Sequence, residues 1–417
     1  MSDQSFRQLI LGYTTIRMSD RTLRNHQLNR RLLPLYIASF FESFVLWYSI
    51  EKLFMRSIGF SNTQIGLMVA VYSVVMLLVD TPSGIIADRW SRKGVLILAS
   101  ISLGLAGLFG GVSHSISVYL FSAVFWGIFF ACYSGMYESI IYDTIIESNN
   151  DKNMFQTVYG RMQGIEGVAL VFGGLIGGFV ASHYGLRLTY FMSIPLCLIS
   201  IVALWIFHEP KIHRNKQTVS LRSQLSATHV ALNNQTMVPV VISLVIRAIL
   251  AYCIFEFSQL WLLALHTQTI YYGLASAFVL SSLGLGGFLV HRFHLDRRIP
   301  LLLTLGIMVA SCIGLILFRH TEMIVISQLI LATGLIALYI LFSSMLHDNV
   351  PSSIRASAAS ATSTIGRFFI IPTALLIGYV SQRYSIYTAS YIFLGLMIAL
   401  VYFVLQITMR QNMVEQL

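Results

Sequence analysis

Twelve apolar runs, each near the length of about 20 residues that carries a helix across a bilayer, constrain this chain more than any other feature. They lie at Leu33–Met55, Thr63–Ile86, Gly94–Gly111, Ile116–Ile145, Gly164–Ser182 and Leu186–Phe207, then at Val238–Leu265, Ile270–Val290, Pro300–Phe318, Met323–Leu346, Ala356–Val380 and Ile386–Ile407. A helix satisfies its own backbone hydrogen bonds without water, so runs of this length predict spanning helices. Six precede and six follow a polar, basic stretch from Lys211 to Gln235. The expectation is an all-α membrane protein, twelve transmembrane helices in two pseudo-symmetric six-helix bundles. Its parts are residues 1–32 as an N-terminal segment, 33–207 as the first bundle, 208–236 as a linker, 237–408 as the second bundle and 409–417 as a tail.

Only 11% of the 417 residues are charged, against roughly 25% in an ordinary soluble domain. That is too few to cover a water-soluble surface. The net charge of +10 raises the question of nucleic acid, and the positions of the charges answer it. With both termini on one face, 20 of the 27 basic residues collect there, 5 lie opposite at run ends or in the outer loops (Lys52, Arg56, Arg187, Arg319 and Arg383), and Arg247 and Arg367 fall deep within runs. Cationic loops stay on the cytoplasmic side. The bias therefore predicts cytoplasmic termini in a plasma (inner) membrane and removes the nucleic-acid reading. Cys132, Cys197, Cys253 and Cys312 all sit in apolar runs without a C-x-x-C pair, so packing rather than metal or disulfide is expected. No cleavable signal peptide is evident. Phe6, Leu9, Ile10 and Tyr13 share a helical face, which suits either a surface-lying helix or a solvated tail.

The most specific motif follows the second run: Asp80, Pro82, Gly84, Asp88, Arg89, Arg92 and Lys93. Glycine there lets a neighbouring helix approach closely. Asp88 can accept from the positive end of a facing helix, and the cations can pair with carboxylates or lipid phosphates. This loop resembles the G-x-x-x-D-R-x-x-R-K loop of the major facilitator superfamily. A weaker echo, Gly287 to His291 and Arg292, stands at the matching place in the second half, with His291 where the aspartate is expected. Glu209 and Pro210 close the sixth run as in many members. Gly173, Gly174, Gly177 and Gly178 are similar to the exporter signature of the family, with Gly174 in place of its proline; close packing of small residues reads equally well. The resemblance implies the major facilitator fold, with Asp80, Gly84, Asp88, Arg89, Arg92, His291 and Arg292 as gating residues.

A charge at mid-membrane costs about 2.5–3.5 kcal/mol on insertion scales, so such residues are functional candidates. At a rise of about 1.5 Å per residue, Glu42, Arg247 and Arg367 lie near the midplane. Glu256 falls in the outer third of its helix, and Glu138 and Glu166 in the inner third of theirs. In the resembled fold helices 1, 4, 7 and 10 line the cavity, which would bring Glu42 and Arg247 together from opposite halves. Glu42 then exchanges protons with a gradient while Arg247 holds substrate, or the two form a structural ion pair. Aromatic residues cluster on the same helices, with Tyr36, Phe40, Trp47, Tyr252 and Trp261 as candidate cavity walls.

The function expected is secondary active transport of a small solute by alternating access, proton-coupled, with export favoured over import, by a monomer in the lipid bilayer. No G-x-x-x-x-G-K-S/T loop is present to use ATP, and no H-E-x-x-H pair suggests a metalloenzyme. No cofactor or metal is expected. Two alternatives stand beside this: a passive facilitator of the same fold, and a sensor or lipid-handling protein on a transporter scaffold.

Overall fold

The structure is a computed structural model that describes residues 27–149, 154–210, 233–235, 237–350 and 355–415. The segment around Phe6 to Tyr13 and most of the linker lie outside these residues.

Among the described residues twelve helices are long and apolar enough to cross a membrane, and each matches one of the expected runs. They are α1 (Gln27–Ser57), α2 (Asn62–Arg89), α3 (Arg92–Val112), α4 (Ile116–Ser148), α5 (Met154–Tyr184) and α6 (Leu186–Ile206). The second half holds α7 (Val238–Ala264), α8 (Thr269–Phe293), α9 (Arg298–Leu317), α10 (Thr321–Asn349), α11 (Ser357–Arg383) and α12 (Ile386–Met409). No strand occurs among the described residues. Large apolar side chains such as Trp205, Ile299, Leu78 and Tyr402 remain exposed on the helix flanks, as expected where lipid is the solvent.

Helix boundaries follow local chemistry. Ser61 and Gln64 close a capping box on α2. At α3, Ser91 accepts from Gly94 N at 2.8 Å. Glu209 accepts from the backbone N–H of Arg92 and Lys93 at 2.6 and 3.2 Å. A carboxylate at a helix N-terminus meets unpaired N–H groups and the positive dipole end; this gives the residue that closes the sixth run a structural task. Two spans are interrupted. In α1 the helix stops at residue 43, four residues run without helix, and the chain resumes as a 3-10 turn at Tyr48–Ile50 and a helix at Glu51–Ser57. In α4 the break falls at Ser134 and Gly135, where Gly135 takes φ +71, a conformation open to glycine at no steric cost.

The two halves pack alike. Helix α3 lies against α4 and α6, and α2 against α4; α9 lies against α10 and α12, and α8 against α10. Between halves, α2 meets α11 and α5 meets α8. These two seams exchange under the same six-helix shift, as a duplicated architecture requires.

The seams are tight at one end only. On the face opposite the chain ends, here the distal face, a Cβ added to Gly178 would lie 2.6 Å from Gly273 Cα, and one added to Gly66 would lie 2.9 Å from Gly378 Cα. Toward the terminal face, Gly84, Gly160, Gly164, Gly167, Gly284 and Gly287 meet nothing within 4 Å. Gly84 was expected to receive a close neighbour; in this conformation it faces open space, because the halves have spread apart there. The molecule is shut distally and open toward the face where α1 begins and α12 ends, here the terminal face.

Candidate functional site

A cavity of about 370 Å³ lies between the halves. Its walls are aromatic: Tyr48 from α1, Trp126, Phe129, Phe130 and Tyr133 from α4, and Tyr252 and Phe255 from α7. Among the described residues three carboxylates line it, Glu42, Glu166 and Glu256, and no lysine or arginine does.

Glu42 stands in the last turn before the break in α1 and is fully buried. Its carboxylate accepts from Tyr137 Oη at 2.6 Å and from Ser100 Oγ. Glu166, on α5, accepts from Ser39 Oγ at 2.7 Å and Tyr133 Oη at 2.6 Å. Among the described residues neither has a basic partner. Hydroxyls from α1, α3 and α4 meet both carboxylates, which keeps them in place without neutralising them. Such a site can take a proton or a ligand cation in exchange.

The expected approach of Glu42 to Arg247 is not seen. Arg247 lies over the ring of Tyr339 on α10, 4.6 Å from its centroid, and its Nε has no hydrogen-bond partner among the described residues. Similar depth along two helices does not fix which way each side chain points, and Arg247 turns into its own half. Arg367 does cross between halves, donating to Asp80 at 2.6 Å and to Ser134 Oγ at 3.4 Å. It is engaged in a bridge rather than turned to the cavity. Glu138 is exposed on the terminal side of α4 and does not line the cavity.

Of the expected aromatic walls only Tyr252 lines the cavity; its Oη also meets Ser73 Oγ at 2.9 Å. Trp47 is stacked on Tyr190 with centroids 5.0 Å apart in the core of the first half. Trp261 is fully buried in the second half and donates to Leu315 O at 3.1 Å. Both indoles are core residues. Phe40 stacks on Phe44, and the Tyr36 hydroxyl has no partner among the described residues. The α4 aromatics that do form the wall gave no sequence signal beyond a uniformly apolar run.

Distal to the cavity lies a charged cluster that the sequence did not reveal. Lys52 Nζ bridges Glu51, its neighbour in α1, and Glu256 of α7, the latter at 3.0 Å. Lys52 N donates to Gln259 Oε1 at 2.9 Å, and Gln259 Nε2 donates to Tyr48 O at 2.8 Å. Tyr119 Oη donates to Glu51 at 3.0 Å. Lys52 was counted with the outer loops; it is instead 1% exposed, because Leu53, Phe54 and Met55 continue the apolar run beyond it.

On the terminal face Arg92 reaches Asp143 at 2.5 Å, Ser139 O at 3.1 Å and Asp88 at 3.3 Å. Asp88 and Arg89 are otherwise exposed, as are His291 and Arg292 at the end of α8. The loop motif thus binds α2 and α3 to α4 within one half, while its outward groups wait at the open mouth.

A family model described as Major Facilitator Superfamily matches residues 32–371. The quinolone resistance protein NorA of Staphylococcus aureus is 23% identical over 186 residues, 44% of this chain and 47% of that protein, so the chain spans about half the length of that relative. Among solved structures, the nucleoside transporter NupG superposes with a TM-score of 0.69 at 16% identity, covering 91% of this chain and 99% of that one. A bacterial homologue of the human lysosomal transporter Spinster, inward-facing and unoccupied, gives 0.68 at 17% identity, covering 91% and 95%. The two matched bundles, the paired seams and the loop after α2 agree with that match, and this multi-pass membrane protein belongs to the major facilitator superfamily.

Proposed function

We infer that the chain is a proton-coupled secondary transporter that exports an amphipathic aromatic cation by alternating access. The observation that supports this reading is the cavity wall, where aromatic rings surround three carboxylates and no basic side chain. Rings hold a flat apolar body and attract a cation over their faces, while Glu42 and Glu166 supply negative charge without a fixed counter-ion. The interrupted α1 adds to this. Its first segment ends at residue 43, and a helix C-terminus presents carbonyl oxygens of partial negative charge. Broken helices at the midplane serve ion and substrate sites in other transporters.

Proton and substrate would compete for the same carboxylates. A cation arriving from the open terminal side displaces the proton; the halves then close on that side and part on the other. Outside, the proton returns and releases the cation. The electrical part of a proton gradient contributes about 2.3 kcal/mol per charge per 100 mV. We read the terminal face as cytoplasmic and the membrane as the plasma membrane from the division of basic residues, 20 to 4 once Lys52 is counted inside its helix, and the chain as acting as a monomer. The name of the relative NorA, a quinolone resistance protein, is in keeping with export.

The test is reconstitution in liposomes with an acidic lumen, using ethidium as the probe. Accumulation in the lumen above the outside concentration, abolished by a protonophore, is the expected result, and Glu42→Gln should reduce it to exchange alone. Equilibration without accumulation would instead support a passive facilitator, the reading favoured by the two hydroxyl donors that already occupy each carboxylate.

A further inference from the structure

The buried charges at the distal end of the cavity do not cancel. Glu51, Lys52 and Glu256 are 3%, 1% and 6% exposed. Among the described residues one ammonium, Lys52 Nζ, serves both carboxylates. The next cations on this face are engaged elsewhere: Arg56 with Asn62, and Arg187 with Gly111 O and the Phe54 ring. The other titratable groups facing the cluster are Tyr48, Tyr72, Tyr119, Tyr190, Tyr252 and Cys253. All are of types that stay neutral at ordinary working pH. With both carboxylates ionised, a net negative charge would be almost wholly buried, which is strongly unfavourable. One proton shared between Glu51 and Glu256 removes the imbalance.

The cluster also holds the distal seam. It lies where α1 and α7 meet, and the Lys52 to Gln259 to Tyr48 hydrogen bonds run across it. Its two carboxylates face different ways. Glu256 lines the cavity, whereas Glu51 is turned to Tyr119 within the first half.

We propose that Glu51, Lys52 and Glu256 form a proton-binding distal gate, which closes when it takes up one proton from the distal side and opens when it loses it. The proton adds to a carboxylate oxygen, Lys52 keeps its own, and the bound proton leaves to cavity water through Glu256. Each closure therefore carries one proton past the seam. This rests on the proton-coupled reading above, and adds a second site to the Glu42 and Glu166 pair.

The experiment places spin labels at Ser57→Cys and Gln268→Cys, two exposed distal positions, and measures their separation by double electron–electron resonance. The four native cysteines are buried and stay unlabelled. The wild-type pair should show one short distance near about pH 5 and a second, longer population near about pH 8.5, where ordinary carboxylates are ionised. Glu51→Gln leaves one carboxylate per ammonium and should stay short at both. Glu256→Gln removes the ion pair across the seam and should show the long population at both. Lys52→Met, which leaves two carboxylates without an ammonium, should open at lower pH than the wild type. A wild-type distribution unchanged by pH overturns the gate, as does a Glu51→Gln protein that still responds or, should that variant not fold, a Lys52→Met protein that opens where the wild type does. No substrate enters this measurement. Failure of ethidium accumulation with an intact pH response would therefore defeat the exporter reading alone, and the reverse would defeat the gate alone.

Discussion

Arg367 of α11 donates to Asp80 of α2 at 2.6 Å, joining the halves on the terminal side of the cavity. The pair is partly open to water, with side chains 19% and 31% exposed, so screening holds its contribution to about 0–1 kcal/mol. Asp80→Asn should barely change the thermal midpoint. It should widen the separation of spin labels on the terminal ends of α2 and α11, since the bridge limits how far the mouth spreads. An unchanged separation would make the pair incidental.

Glycines at the distal and terminal ends of the two seams should respond differently to alanine. At Gly178 the new Cβ would sit 2.6 Å from Gly273 Cα, against backbone that cannot move aside without parting the helices. Overpacking of this kind costs about 1–3 kcal/mol, so Gly178→Ala should lower the thermal midpoint of the purified protein. Gly84→Ala enters open space and should leave that midpoint unchanged. Equal losses at both would contradict the one-sided seam.

The carboxylate of Glu42 accepts from Tyr137 Oη at 2.6 Å. Removing one donor from a buried acceptor costs about 1–3 kcal/mol, so Tyr137→Phe should lower the thermal midpoint and disturb gradient-driven ethidium uptake. Tyr36→Phe, which deletes a hydroxyl without a partner, is the control and should do neither. If both behave alike, the hydroxyl contact at Glu42 is not what matters.

Topology can be tested in intact cells. A cysteine introduced at Ser220, in the basic stretch between the halves, should react with a membrane-permeant maleimide and resist an impermeant one, because cationic loops are retained in the cytoplasm. Ready labelling by the impermeant reagent would invert the orientation.

The helices were legible because span length and hydropathy are summed over many residues, and no single misplacement changes the sum. The site was legible only where the question was which residues are buried. Glu42, Glu166 and Glu256 do line the cavity, since a carboxylate in an apolar run is unfavourable unless it has a use or a set of donors. Which residue meets which was not legible. Arg247 reads as a partner for Glu42 by depth, yet rotation about the helix axis turns it to Tyr339. Lys52 reads as a loop cation because it stands late in its run. The clue was that Leu53, Phe54 and Met55 follow it, so the span had not ended. Glu209 was legible as a marker and not as a cap, because its partners are backbone amides 116 and 117 residues away.

The interruption of α1 divides that span into two bodies with different attachments. The segment up to residue 43 is held by Glu42 to α3 and α4, whereas Tyr48–Ser57 is held by Lys52 and Tyr48 to α7 and by Glu51 to Tyr119 at the distal end of α4. Without continuous i to i−4 bonds between them, the distal piece can swing as a short lever while the rest of its half stays still. A gate on a lever need not wait for whole bundles to rotate. In the proposed proton-coupled cycle such a gate would seal before the opposite mouth parts, giving a state closed at both ends and leaving no continuous water path to short-circuit the gradient.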